Sequence, residues 1–131
     1  MPVRDALPFL EEALGSLKQQ TLRDFEIVAV DDGSSDGSAE LLERRAASDP
    51  RLRCFRRPAR GLVPALNDGI DLCRGELIAR MDADDLAHPR RLELQVAALE
   101  EDPDLGVVSC LVEHFPESEL AEGFRVYERW L

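Results

Sequence analysis

Two groups of aspartates are the densest concentration of reactive side chains in this sequence. One is Asp31-Asp32, followed by Gly33-Ser34-Ser35-Asp36-Gly37-Ser38; the other is Asp82-Ala83-Asp84-Asp85. Carboxylates packed side by side repel, so such groups tend to persist where a cation or hydrogen-bond donors compensate them. A ligand set made only of oxygen favours Mg2+ or Mn2+ over zinc. Mg2+ is usually held by one or two carboxylates, with substrate phosphates completing its shell. Asp, Ser and Gly are equally at home in solvated turns that bind nothing. For one group alone the plain turn is the better reading. Two groups at the same end of one sheet favour a binding site.

The stretches before each group are strand-like. Phe25–Val30 is a near-continuous apolar run with β-branched residues, which suits a short strand buried on both faces of a parallel sheet. Glu76–Met81 is a second such run before Asp82. Arg51–Arg56 alternates, with Leu52 and Cys54 on one side, and predicts a strand over Leu52–Phe55. Gly106–Val112 predicts another. Helical spacing lies between them. Leu7, Leu10, Leu14 and Leu17 share one face of a helix that Asp5 can cap from Ala6 onward. Further helices are predicted at about Ala39–Ala47, with Leu42 and Ala46 inward, and Val63–Arg74, with Leu66, Ile70 and Cys73 inward. A last one runs from Pro89 to about Glu101, with Leu92, Val96 and Leu99 inward. Asp49-Pro50 and Asp102-Pro103 end two of them. Alternating helices and strands argue for an α/β fold with a mainly parallel sheet, and ligands in such sheets bind outside the carboxyl ends of the strands.

Composition narrows the function. The 131 residues fit one domain or part of a larger one, and 44% are hydrophobic, enough for a packed core. The formal net charge of −11 argues against nucleic acid, whose phosphates need a basic surface. Cys54, Cys73 and Cys110 are odd in number and unclustered, which reads as reduced thiols in the cytoplasm rather than disulfides or a zinc site. No apolar run approaches membrane-spanning length.

FEIVAVDDGSSDGS, then ALNDGIDLCRGELIARMDADD with Pro89 close behind, resembles the inverting nucleotide-sugar glycosyltransferases of the large family 2. MPVRDALPFLEEALGSLKQQTL looks like that family's opening segment, and the resemblance covers about Met1–Val112. It implies the Rossmann-like GT-A fold, here apparently incomplete at both ends. It also implies transfer of a sugar from a nucleotide-sugar donor, UDP-linked, to a saccharide or lipid-linked acceptor hydroxyl, in cell-surface polysaccharide or glycolipid synthesis. The place implied is the cytoplasm, or peripherally the inner membrane face. By the resemblance, Pro2, Val3 and Asp5 line the nucleotide pocket, and Asp31 or Asp32 accepts a hydrogen bond from the base. Ser34, Gly61 and Asn67 border the nucleotide. Asp82-Ala83-Asp84 resembles the DXD motif, with Asp82 on the ribose side and Asp82 and Asp84 holding Mg2+ or Mn2+; Asp85 is a third member.

The chain departs from the family pattern at Arg4, Asp5 and Leu66, where an aromatic, Asn and Arg are common. The strand expected before Pro2 is nearly absent, and the acceptor site and catalytic base are expected beyond Leu131. The expectation is therefore a donor-binding part, inactive alone, with Met1–Val3 stretched into the place of the first strand or another segment filling it. Self-association is expected through Phe124, Tyr127 and Trp130. Glu117, Glu119 and Glu122 read as a solvated connector. His88 reads as a helix-entry residue or a phosphate contact, and Arg56, Arg57 and Arg60 as a solvated loop or an anion-steering patch. Two rivals stand beside this reading. One is a noncatalytic nucleotide-binding or assembly module of the same fold. The other is an EF-hand on Asp32–Glu43, which the preceding strand pattern disfavours.

Overall fold

The computed structural model describes residues 1–116 together with Ser118, Ala121, Glu122, Phe124 and Glu128. Its centre is the strand β2, Ile27–Asp31, buried at every position. Four apolar residues in a row, three of them β-branched, suit a strand covered on both faces. β1, Pro2–Val3, and β3, Leu52–Arg56, lie parallel on either side of it in the order β1-β2-β3. Val3 pairs with Asp31, and Asp31 with Arg56, so the carboxyl ends of all three strands meet at one edge. The opening residues do lie where a first strand belongs. The Met1 ammonium donates to the Val28 carbonyl at 2.8 Å, and the Val30 N–H donates to the Met1 carbonyl.

Helices cover both faces. α1, Leu7–Lys18, buries Leu10, Ala13, Leu14 and Leu17, and α2, Ser38–Ala46, buries Ala39, Leu41 and Leu42. Most of these join Val3, Ile27, Ala29 and Leu52 in the main core. α3, Leu62–Leu72, covers the other face, where Ala65 meets Val28 and Val30. Its inward face is thus set by Ala65, with Ile70, expected inward, half-exposed instead. α4, Arg91–Glu101, buries Leu92.

Two expected strands are absent among the described residues. Glu76–Met81 and Gly106–Val112 carry strand-like sequences but no ladder, and Leu77, Ile78, Val107, Leu111 and Val112 stay exposed. β1 is two residues long, so it offers a fourth strand almost no N–H and C=O groups to pair with. A strand is a property of pairs, and propensity alone does not make one. The alternation of helix and strand consequently stops after α3, and the sheet has three strands. Of the expected self-association residues, Phe124 is exposed, whereas Tyr127 and Trp130 lie outside the described residues, as do Glu117 and Glu119.

Candidate functional site

Asp32 follows β2 directly and is held from three directions. The backbone N–H of Arg60 donates to Oδ1 at 2.7 Å, that of Gly61 to Oδ2 at 2.8 Å, and the Arg4 guanidinium to Oδ2 at 3.3 Å. The N–H of Arg60 leads in holding this carboxyl below the usual aspartate range, with those of Gly61 and Arg4 adding to it against desolvation. Asp32 therefore clamps the loop after β3 onto the end of β2. Gly33 makes the clamp possible: its φ is +76°, and a Cβ there would lie 2.9 Å from the Ala59 nitrogen.

Asp31 is placed differently. Its side chain is almost fully enclosed; Oδ1 accepts the Ser34 N–H at 3.2 Å, while Oδ2 is buried with no hydrogen bond. The Arg56 Nε, 3.7 Å away, offers charge compensation. The rest of the DDGSSDG turn faces α1. The N–H groups of Asp5, Ala6 and Leu7 donate to Ser34 Oγ, Ser38 Oγ and Asp36 Oδ2 at 3.0, 3.0 and 2.8 Å. Asp36 also accepts from the N–H and hydroxyl of Ser38. Desolvation would raise the Asp36 carboxyl, but the bonds from Ser38 and Leu7 outweigh it, and it lies below its usual range. The open donors at a helix N-terminus are satisfied here by a distant loop instead of a local cap.

This corrects one reading and upholds the rejection of another. Asp5 does not cap α1: it sits at φ 47°, and its Oδ1 accepts from the N–H and hydroxyl of Ser35. An EF-hand is also excluded, because the loop follows a strand and Asp36 and Ser34 are committed to α1.

The second acidic group does not cap a strand. It lies on a loop seated by Met81, Ala83 and Ala87, all buried in the main core. Asp82 is within electrostatic reach of the Met1 ammonium, which places the loop beside β1. α1 pins the far side of the loop. Ser16 Oγ accepts the Ala87 N–H at 3.0 Å. Gln20, fully buried, donates to the His88 carbonyl at 2.8 Å and accepts the Leu92 N–H at 3.0 Å. The Thr21 N–H donates to the Pro89 carbonyl. Nothing in the sequence marks Gln20 and Thr21 for this, because neither type nor spacing signals a buried polar bridge between distant elements.

Asp84 and Asp85 are exposed, and Asp82 is gripped by Arg80. Among the described residues no group of three or more His, Cys, Asp or Glu is gathered to hold a metal. Pro2 is half-buried, Val3 points its side chain into the core, Gly61 precedes α3, and Asn67 is exposed on it. His88 Nδ1 accepts the Arg90 N–H, the geometry of a helix entry. Arg56 pairs with Asp31 and Glu40, and Arg57 and Arg60 both pair with Asp68. That basic loop is therefore internally neutralised.

Comparison with known proteins points one way. The model of Glycosyl transferase family 2 matches residues 1–127. The Bacillus subtilis glycosyltransferase EpsJ is 36% identical over 110 residues, covering 84% of this chain and 32% of its own length. The amylovoran biosynthesis glycosyltransferase AmsE of Erwinia amylovora is 38% identical over 109 residues, covering 82% of this chain and 41% of its own. Among solved structures, the mannosyltransferase PcManGT of Pyrobaculum calidifontis, in complex with GDP-Man and Mn2+, superposes with a TM-score of 0.73 at 34% identity. That match covers 86% of this chain and 34% of PcManGT. S. aureus TarS gives 0.71 at 25% identity, covering 76% of this chain and 31% of that one. The chain thus spans about a third of the length of these relatives. A family match over nearly every residue, on a parallel sheet shared with GT-A enzymes, shows that the chain belongs to glycosyl transferase family 2.

Proposed function

We propose that this chain binds the nucleotide-sugar donor of an inverting glycosyltransferase acting in cell-surface polysaccharide or glycolipid synthesis. The carrying observation is the Asp32 carboxylate at the carboxyl end of β2, kept ionised by two backbone N–H groups and Arg4. An ionised carboxylate accepts hydrogen bonds at about four positions, and three are in use. The Arg4 contact is the longest of the three and comes from a half-exposed side chain, so it is the one that yields to the imide N–H of a base. Asp31 is enclosed and serves the turn. Pro2, Val3 (through its backbone), Ser34, Gly61 and Asn67 border the nucleotide, with UDP the expected donor base. The GDP-Man complex of PcManGT makes GDP the first alternative.

The donor set of the second loop fits a hard divalent ion. Asp82 and Asp84 are partly or fully exposed oxygen ligands, two in number, the usual protein share for Mg2+ beside substrate phosphates. Asp82 and Asp84 would hold Mg2+ or Mn2+, and the Mn2+ of PcManGT supports a divalent ion. Such an ion would neutralise charge on the departing nucleoside diphosphate. Ala83, buried between the two, seats the loop, and Ser16 and Gln20 hold its far side. The acceptor site and the base that deprotonates it belong to the part of such enzymes that this chain does not match.

Calorimetric titration with UDP, GDP and dTDP, with and without Mn2+, tests the reading. Binding of one nucleotide, tightened by Mn2+, is expected. Failure of all three to bind would overturn it.

A further inference from the structure

Arg80 holds Asp82 by a two-pronged contact. Its Nη2 lies 2.8 Å from Oδ2 and 3.1 Å from Oδ1, and its Nε lies 3.3 Å from Oδ1. Its own carbonyl accepts from the Arg91 Nη2 at 2.7 Å, which ties this stretch of backbone to the start of α4. Both oxygens of one proposed metal ligand are thus turned toward a guanidinium supplied two residues earlier. The fork occupies lone pairs that a divalent ion would otherwise use, and the two cations repel at that distance, so they compete for this carboxylate.

We propose that Arg80 is the resident cation of the acidic loop, exchanged for the divalent ion when the donor diphosphate arrives, and that it thereby sets the metal affinity. This rests on the reading of Asp82 and Asp84 as metal ligands. The pair is well placed for exchange. The Arg80 and Asp82 side chains are 60% and 37% exposed, so water replaces the lost contact. Exposed ion pairs contribute little, because water screens them and competes for both partners. The guanidinium keeps the loop neutral and the carboxylate oriented while no metal is bound, and releases it at small cost. Among the described residues Asp84 has no such partner, so it would supply the first contact to an incoming ion, and Asp82 would follow once Arg80 yields.

The test is Mn2+ titration of the whole chain, alone and with UDP, followed by the paramagnetic resonance signal of free Mn2+. Arg80→Gln should bind Mn2+ about two- to fivefold more tightly than the unaltered protein, the factor a weak exposed pair corresponds to. Arg80→Lys keeps the charge and loses the fork, and should fall between them. Asp84→Asn should leave the free Mn2+ signal undiminished in either background. Equal or weaker Mn2+ binding by both Arg80 variants would overturn the exchange and leave the metal reading standing. Mn2+ binding by Arg80→Gln but not by the unaltered protein would support the exchange strongly. Absence of binding in every variant would overturn both.

Discussion

Asp32 and Asp84 are both aspartates on loops, yet their surroundings assign them different tasks. Asp32 is built into the protein; Asp84 is presented to solvent. Asp32→Asn would turn one acceptor into an N–H donor facing the N–H of Arg60 or Gly61. Nucleotide affinity should fall with and without metal, and the thermal midpoint should fall as well. Asp84→Asn should leave the midpoint unchanged and remove only the metal-dependent part of binding. Calorimetry beside thermal melts separates the two outcomes, and a drop in midpoint for Asp84→Asn would contradict the assignment. Gln20 is a third residue with a sharp expectation. Gln20→Ala strips the Leu92 N–H of its partner and leaves the His88 carbonyl with the Arg91 N–H alone. A buried group left bare costs ~1–3 kcal/mol. Melting should register that loss, and Mn2+ affinity should weaken with it because the acidic loop loses its far anchor.

Among the elements, the turn after β2 depends on its backbone as much as on its acids. Gly33→Ala meets both a left-handed φ and the Ala59 backbone, at a strain cost of roughly 1–3 kcal/mol. It should loosen the loop over Asp32 and weaken nucleotide binding; an alanine variant with native stability and affinity would contradict the clamp. The sequence made this region legible because β2, its acids and its glycines are local signals. Helical spacing likewise revealed α1, α2 and α4. What stayed hidden depends on partners distant in the chain. The turn's hydroxyls reach α1 across about thirty positions of sequence, and Gln20 reaches α4 across about seventy, as the separations of 29, 32, 68 and 72 residues show. The strand-like runs at 76–81 and 106–112 were misread for the same reason. Their side chains fit a sheet, but β1 gives no edge long enough to receive them. Backbone amides there lack a ladder, so hydrogen exchange over both runs should be fast beside that of β2.

At the scale of the molecule, charge sets the pH response. Asp32, Asp36, Asp49 and Glu26 all lie below their usual carboxyl range. For Asp32 the cause is mainly the Arg60 N–H; for Asp36, hydrogen bonds that outweigh desolvation. Asp49 owes its shift mainly to Arg51, and Glu26 mainly to Arg53. Carboxyls lowered in the folded state stabilise it fully above their unfolded values. That contribution is lost as pH falls through the lowered folded ones. Thermal midpoints should therefore decline on acidification below the usual carboxyl range; a midpoint that rises there would contradict the hydrogen-bonding scheme. The chain alone should bind nucleotide without transferring sugar, since donor, acceptor and base must be held together for attack. Sugar transfer by these 131 residues would show that the base lies among them. Sedimentation at micromolar concentration should detect self-association, with exposed Phe124 as one contact; a strict monomer would remove that surface from consideration.

The loop that fastens α1 to β2 bears on how such a chain would change over generations. Asp36, Ser38 and Asp32 tie this loop to α1 and to the loop after β3, so selection for a stable fold alone favours keeping them, whether or not any sugar is moved. A lineage that lost catalysis would keep a recognisable DDGSSDG. Erosion would begin at Asp84 and Arg80, which folding does not need. The state of that second loop, more than the first, is the mark by which a working descendant could be told from a vestigial one.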